Sequence, residues 1–199
     1  MANIVFFVFL AATLIVCSPA VILQLRHIPS GKSLDHAGTV VMYVTFLLTW
    51  TIAFMDLCGS DAVTGSRTIG LAIFCSGAGI RTAAFWALGR MYSGSVNIQT
   101  GHILVRTGIY RLARHPLHLG LIVEIAGLAL MAPAWTGAFC LVLACVFIVR
   151  RNQIEDAVLQ RQFGPTARQY QAQVPGMNVC RWLWTRRWRH PGYKCGSIR

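Results

Sequence analysis

Acidic side chains are scarce in this chain: six Asp and Glu among 199 residues, with charged residues of both signs making up only 12% of the whole. An ordinary soluble domain carries about twice that charged fraction. The 55% hydrophobic content therefore places the chain in the membrane class. Cysteine pairs at CxxC spacing are missing as well. Cys17, Cys58, Cys75, Cys140, Cys145, Cys180 and Cys195 are scattered, most of them inside apolar runs, and read as small packing residues rather than a disulfide or zinc framework. No metal is expected. A nucleotide-binding glycine loop is also absent, because Gly77-Ala78-Gly79 falls inside an apolar run and follows no strand; small-residue helix packing accounts for it.

Long apolar runs and positive charge fill the space left by these absences. The runs cover Ile4–Leu25, Thr39–Leu57, Thr68–Leu88, Leu119–Met131 and Thr136–Val149. At 1.5 Å per residue, about twenty residues cross a hydrocarbon core of about 30 Å. The first run lacks a basic n-region and Ser18-Pro19-Ala20 makes a poor cleavage site, so it is expected to stay as a first transmembrane helix. "CGSDAVTGSR" supplies the loop between the second and third runs, and "APAW" a tight hairpin between the fourth and fifth.

The net charge of +12 sits next to these runs, with ten basic residues from Arg150 onward. Nucleic acid is not the partner that this distribution predicts; topology and anionic lipid headgroups are. Arg26 and Lys32 follow the first run, Arg67 alone the second, and Arg90, Arg106, Arg111 and Arg114 the third. The positive-inside rule then puts the N-terminus outside, with the segment from Arg90 to His118 and the C-terminal tail together on the cytoplasmic side. The terminal "RWLWTRRWRHPGYK" interleaves Trp and Arg as a membrane-surface segment does.

Each polar motif has an ordinary structural reading when taken alone. Pro116 suits the first turn of a helix and Arg114 can reach headgroups from a membrane boundary. Arg151 and Glu155 are four apart and can form a helix-surface ion pair, with Gly164-Pro165 as the helix stop. Glu124 is less ordinary, because an acid inside a span is costly unless paired. Arg81 is the candidate partner, and both are candidates to line an acceptor tunnel.

Taken together, His102-x-Leu104-Val105-x-x-Gly108-x-Tyr110-x-x-x-Arg114-His115-Pro116-x-x-x-Gly120, then Arg151-x-x-x-Glu155, then Phe163-Gly164, Tyr170 and Val174-Pro175 resemble the isoprenylcysteine carboxyl methyltransferase family. The resemblance runs from about Arg90 to Pro175. It implies an integral-membrane enzyme that uses S-adenosylmethionine, with Gln99, His102, Ile103, Leu104, Val105, Tyr110, Arg114, His115, Pro116, Leu117, His118 and Glu155 around the cofactor. It also implies that Arg151 faces the methyl-accepting group. Three departures stand out: His118 replaces a tyrosine, the acidic run shrinks to "QIED", and Ala167 replaces the first tyrosine of the "FGxxYxxY" pattern.

The chemistry gives these residue types a reason. The cofactor carries a sulfonium, an ammonium and a carboxylate; His115 or Arg114 can meet the carboxylate and Glu155 a positive group or a ribose hydroxyl. Methyl transfer is an in-line displacement, so alignment and exclusion of water are the main requirements. A carboxylate acceptor can be held by Arg151 and needs no base, whereas a phenol or amine needs one, with His118 or Glu155 as candidates.

The expected fold is an all-α integral membrane protein with five transmembrane helices, a cytoplasmic cofactor-binding segment and a C-terminal helix. Residues 1–90 supply three spans, 91–180 the catalytic region with spans four and five, and 181–199 the basic aromatic tail. The expected function is transfer of methyl from S-adenosylmethionine to a small lipophilic acceptor entering from the bilayer, with O-methylation favoured. Two alternatives stay open: an NADPH-dependent membrane reductase of the sterol-reductase type, which looks similar over the same region, and a non-enzymatic membrane scaffold of the same fold.

Overall fold

The computed structural model describes residues 36–58, 65–89 and 104–177, so the expected first span Ile4–Leu25 and the basic aromatic tail lie outside the described residues. Four long helices and two short elements follow in order: α1 (His36–Cys58), α2 (Gly65–Leu88), a 3-10 turn (Gly108–Arg111), α3 (Pro116–Met131), α4 (Ala134–Phe163) and α5 (Pro165–Gln173). No strand occurs among the described residues.

The helix ends follow from local chemistry. Pro116 occupies the first turn of α3, where a missing N–H costs nothing. At the other end Ala132 is extended at φ −89°, ψ 166°, as a residue before proline should be. The break is short, and α4 starts at Ala134. α4 continues past its apolar half without interruption until Gly164, whose φ of +51° is open to glycine at little cost, and Pro165 then starts α5.

α2 and α3 pack antiparallel through small residues. A Cβ on Gly70 would come within 2.7 Å of the Gly127 carbonyl, and one on Gly77 within 2.7 Å of the Gly120 carbonyl. Backbones this close are the usual means of helix association where lipid removes the hydrophobic driving force. The core forms around this pair: Phe74 from α2 and Leu121, Ile125, Leu128 and Met131 from α3, closed by Phe46 and Ala53 of α1 and Ala144 and Ile148 of α4.

The outer surface is apolar. Leu47 and Met55 on α1, Ile69 and Trp86 on α2, and Phe139, Val142 and Val146 on α4 are all exposed. Water would not tolerate so many large apolar side chains on three helices, whereas lipid does. α2 and α4 are each long and apolar enough to cross a membrane; the apolar stretch Val44–Asp56 of α1 and α3 are shorter. Asp56 and Arg67 pair at 2.5 Å, tying the end of α1 to the start of α2.

Candidate active site

The head of α3 meets the polar half of α4. His115 caps α3, His118 lies one turn further on, and α4 presents Arg151, Asn152, Glu155 and Asp156 from successive turns. Glu155 Oε2 lies 3.3 Å from His115 Nδ1 and 3.9 Å from His118 Nδ1, while its Oε1 accepts from Arg151 Nε at 3.0 Å. Asp156 faces the neighbouring pair, with Oδ2 accepting from Arg114 Nη1 at 2.5 Å and Oδ1 standing 3.0 Å from His115 Nε2. His118 Nδ1 is 2.5 Å from Asn152 Oδ1.

The chain after α4 folds back to hold this arrangement. Arg114 N–H donates to the Pro175 carbonyl at 2.9 Å and His115 N–H to the Gly176 carbonyl at 3.1 Å, so the residues after α5 fix the backbone of the Arg-His-Pro motif. The Tyr170 hydroxyl donates to the Tyr110 carbonyl at 2.7 Å, fastening α5 to the 3-10 turn. Gln171 Nε2 donates to the Asp156 carbonyl at 3.0 Å. Burial pushes both the Tyr110 and the Tyr170 phenol above the ordinary range, so both stay neutral.

Electrostatically, the two histidines separate. Burial works against a charged His115, but hydrogen bonds to Asp156 and Glu155 outweigh it and raise its pKa to about 9. His118, just ahead of the apolar run that begins at Leu119, is lowered to about 4, chiefly by burial, with Arg151 and His115 adding to the effect. Burial would also raise Glu155, yet His118, His115 and Arg151 together hold it down at about 2. His115 is therefore cationic, Glu155 anionic and His118 neutral near pH 7.

The expected site residues fall into three groups. His115, His118 and Glu155 come together with ligand atoms all within 4.8 Å of one another, and Arg114 and Arg151 border them. That donor set could also surround a cation, but the Arg151 guanidinium already on Glu155, with Arg114 on the neighbouring Asp156, favours an anionic or zwitterionic guest. Pro116 is buried in the first turn of α3, and Leu104 and Val105 are half-buried in the irregular chain before the 3-10 turn. Leu117 packs instead on Phe85, alongside Leu88 of α2. Gln99, His102 and Ile103 lie outside the described residues.

Asn152 and Asp156 belong to the site although sequence reasoning did not single them out. Asp156 was signalled only by its place beside Glu155 in "QIED". Asn152 carried no signal, because its partner is 34 positions away. Deeper in the bundle Arg81 Nη1 pairs with Glu124 Oε2 at 2.5 Å, as expected, with the Arg81 guanidinium carbon 5.7 Å from the ring centres of both Phe46 and Phe85.

Comparison with known proteins shows what the chain is similar to. The profile of the isoprenylcysteine carboxyl methyltransferase (ICMT) family matches residues 69–161. A protein-S-isoprenylcysteine O-methyltransferase of Schizosaccharomyces pombe is 31% identical over 149 residues, which is 73% of this chain and 58% of the relative. A probable protein-S-isoprenylcysteine O-methyltransferase of Oryza sativa subsp. indica is 33% identical over 110 residues, 53% of this chain and 57% of the relative. This chain thus spans less than two thirds of the length of these curated relatives. The solved structure of the eukaryotic intramembrane Ras methyltransferase ICMT shares the fold, with a TM-score of 0.66 and 22% identity over 89% of this chain and 67% of that one. In profile and relatives the chain is similar to the isoprenylcysteine carboxyl methyltransferase family, and it shares the fold of that solved structure.

Proposed function

We propose that the chain is a membrane-embedded methyltransferase that moves a methyl group from S-adenosylmethionine to the oxygen of a lipophilic acceptor arriving through the bilayer. The observation that carries this reading is the cluster of buried His115 and His118 with half-buried Glu155, between Arg114 and Arg151 at the head of α3. The relatives named as O-methyltransferases support the reaction class.

The residues fit the cofactor's charges. Arg114 Nε is buried and has no acceptor among the described residues, an orphan cationic donor that an α-carboxylate would satisfy. Glu155 is the anion available to an ammonium, a sulfonium or a ribose hydroxyl, and Leu104, Val105, Tyr110 and Pro116 contribute the apolar walls. When bound, the cofactor supplies an electrophilic methyl group on a positive sulfur. The chain's own residues orient it, keep out water and, through Arg151, face the acceptor. Five transmembrane helices complete the architecture, with the N-terminus outside and the site cytoplasmic.

Calorimetric titration of the detergent-solubilised protein with S-adenosylhomocysteine tests the reading. Saturable binding is expected, with Glu155→Ala and His115→Ala each weakening it by about tenfold or more, the worth of a charged hydrogen bond of about 1.5–3 kcal/mol. NADPH binding in place of S-adenosylhomocysteine would overturn it in favour of a reductase, and binding of neither would leave a scaffold.

A further inference from the structure

His118 holds one hydrogen bond that fixes its chemistry. Its Nδ1 lies 2.5 Å from Asn152 Oδ1, and the Asn152 amide nitrogen is turned the other way, to the Met177 sulfur at 3.1 Å. A carboxamide oxygen can only accept, so the imidazole proton sits on Nδ1 and Nε2 is left with a bare lone pair. Nε2 has no hydrogen-bond partner among the described residues. The ring is otherwise held in place, stacked on His115 at 5.9 Å, with Glu155 Oε2 3.9 Å from Nδ1 and Arg151 on the same face of α4.

An oriented, neutral imidazole has no task in methylating a carboxylate, which is already an anion and which Arg151 can hold. We propose that His118 Nε2 is a general base and that the acceptor is a lipophilic phenol, with Asn152 as the positioning residue that fixes the tautomer. This rests on the methyl-transfer reading. Charge selects the acceptor class: Arg114, Arg151 and a protonated His115 stand against Glu155 and Asp156, a net of +1 that repels an ammonium and favours a developing phenolate. With its pKa lowered to about 4, His118 is a weak base, so it serves only an acceptor as acidic as a phenol, pKa about 10, that gives up its proton as the O–CH3 bond forms; an alkyl alcohol is out of its reach. In the step, the phenol O–H bond breaks as its proton passes to Nε2, the oxygen pair forms the new O–CH3 bond, and the S–CH3 bond of the sulfonium breaks to leave a neutral thioether. The imidazolium, steadied by Asn152 Oδ1 and Glu155, then returns its proton to water.

The decisive experiment is nitrogen-15 NMR of histidine-labelled full-length protein in detergent with S-adenosylhomocysteine bound, His118 being assigned by loss of its signals in His118→Gln. The expected spectrum at pH 7 shows His118 neutral and protonated on Nδ1, and its Nε2 signal moves on adding 4-nonylphenol but not on adding decanoate. Asn152→Leu should release the Nε2-protonated tautomer, while Asn152→Asp should keep the Nδ1–H form and raise the pH at which His118 titrates. An Nε2-protonated or doubly protonated His118 at pH 7, or an Nε2 signal indifferent to the phenol, overturns the base. Failure to bind S-adenosylhomocysteine removes the methyl-transfer reading instead, and the base with it.

Discussion

His115 and His118 are one turn apart, and burial acts on both in the same direction; their partners drive them to opposite protonation states. His115 faces two carboxylates, His118 a neutral amide and a guanidinium-rich side. The pH dependence of stability follows from the signs. His115 is raised from 6.5 to about 9, so its contribution is complete below pH 6.5 and disappears as pH rises through 9. His118 is lowered from 6.5 to about 4, so the unfolded chain takes up its proton first and stability falls as pH drops below 6.5. Glu155, lowered from 4.5 to about 2, adds a loss as pH falls from 4.5 toward 2. Thermal unfolding in detergent should therefore show greatest stability near pH 6.5, and His115→Gln should abolish the fall between pH 6.5 and 9. A melting temperature that keeps rising to pH 9 would contradict the charge state assigned to His115.

The helices were largely legible from apolar runs, and the reason the site was only partly so appears at the scale of elements. Arg81 and Glu124 could be matched from sequence because few ionisable residues occur inside the spans and each needs a partner. His118 and Asn152 could not, because a polar residue at a membrane boundary has water as an alternative and sequence does not say which turn of α4 will face it. Likewise Gly70, Gly77, Gly120 and Gly127 are visible as small residues, but only the antiparallel register of α2 and α3 puts them opposite one another. That register makes a sharp contrast testable. A Cβ on Gly77 would stand 2.6 Å from the Glu124 amide nitrogen, whereas one on Gly79 meets nothing within 4 Å. Gly77→Ala should cost about 1–3 kcal/mol through overpacking. Gly79→Ala should be neutral or gain up to about 1 kcal/mol from helix propensity. Denaturation of the two variants side by side in mixed micelles checks this, and equal effects would mean the helices do not approach as closely as described.

At the scale of the whole molecule, α4 decides how the site meets the membrane. Its 30 residues rise about 45 Å at 1.5 Å each, well beyond a hydrocarbon core of about 30 Å. Its polar half, Arg150 to Phe163, supplies that excess and carries the site. Under the proposed function the cluster stands at the interface, where a water-soluble cofactor can arrive from one side and a lipophilic acceptor from the bilayer. Trp135, 90% exposed in the first turn of α4, and the exposed Gln162 near its end are 27 residues apart, about 40 Å along the axis, so a helix that crosses must put them on opposite sides. The proposed topology, which follows the arginines at 150, 151, 161 and 168, puts the far end on the cytoplasmic side. In a cysteine-free background, Trp135→Cys should react with a membrane-impermeant maleimide added outside intact cells. Gln162→Cys should react only after the membrane is opened. The reverse pattern would invert the topology and put the site outside, where no intracellular methyl donor could reach it; labelling of both from one side would mean that α4 lies on the membrane rather than through it.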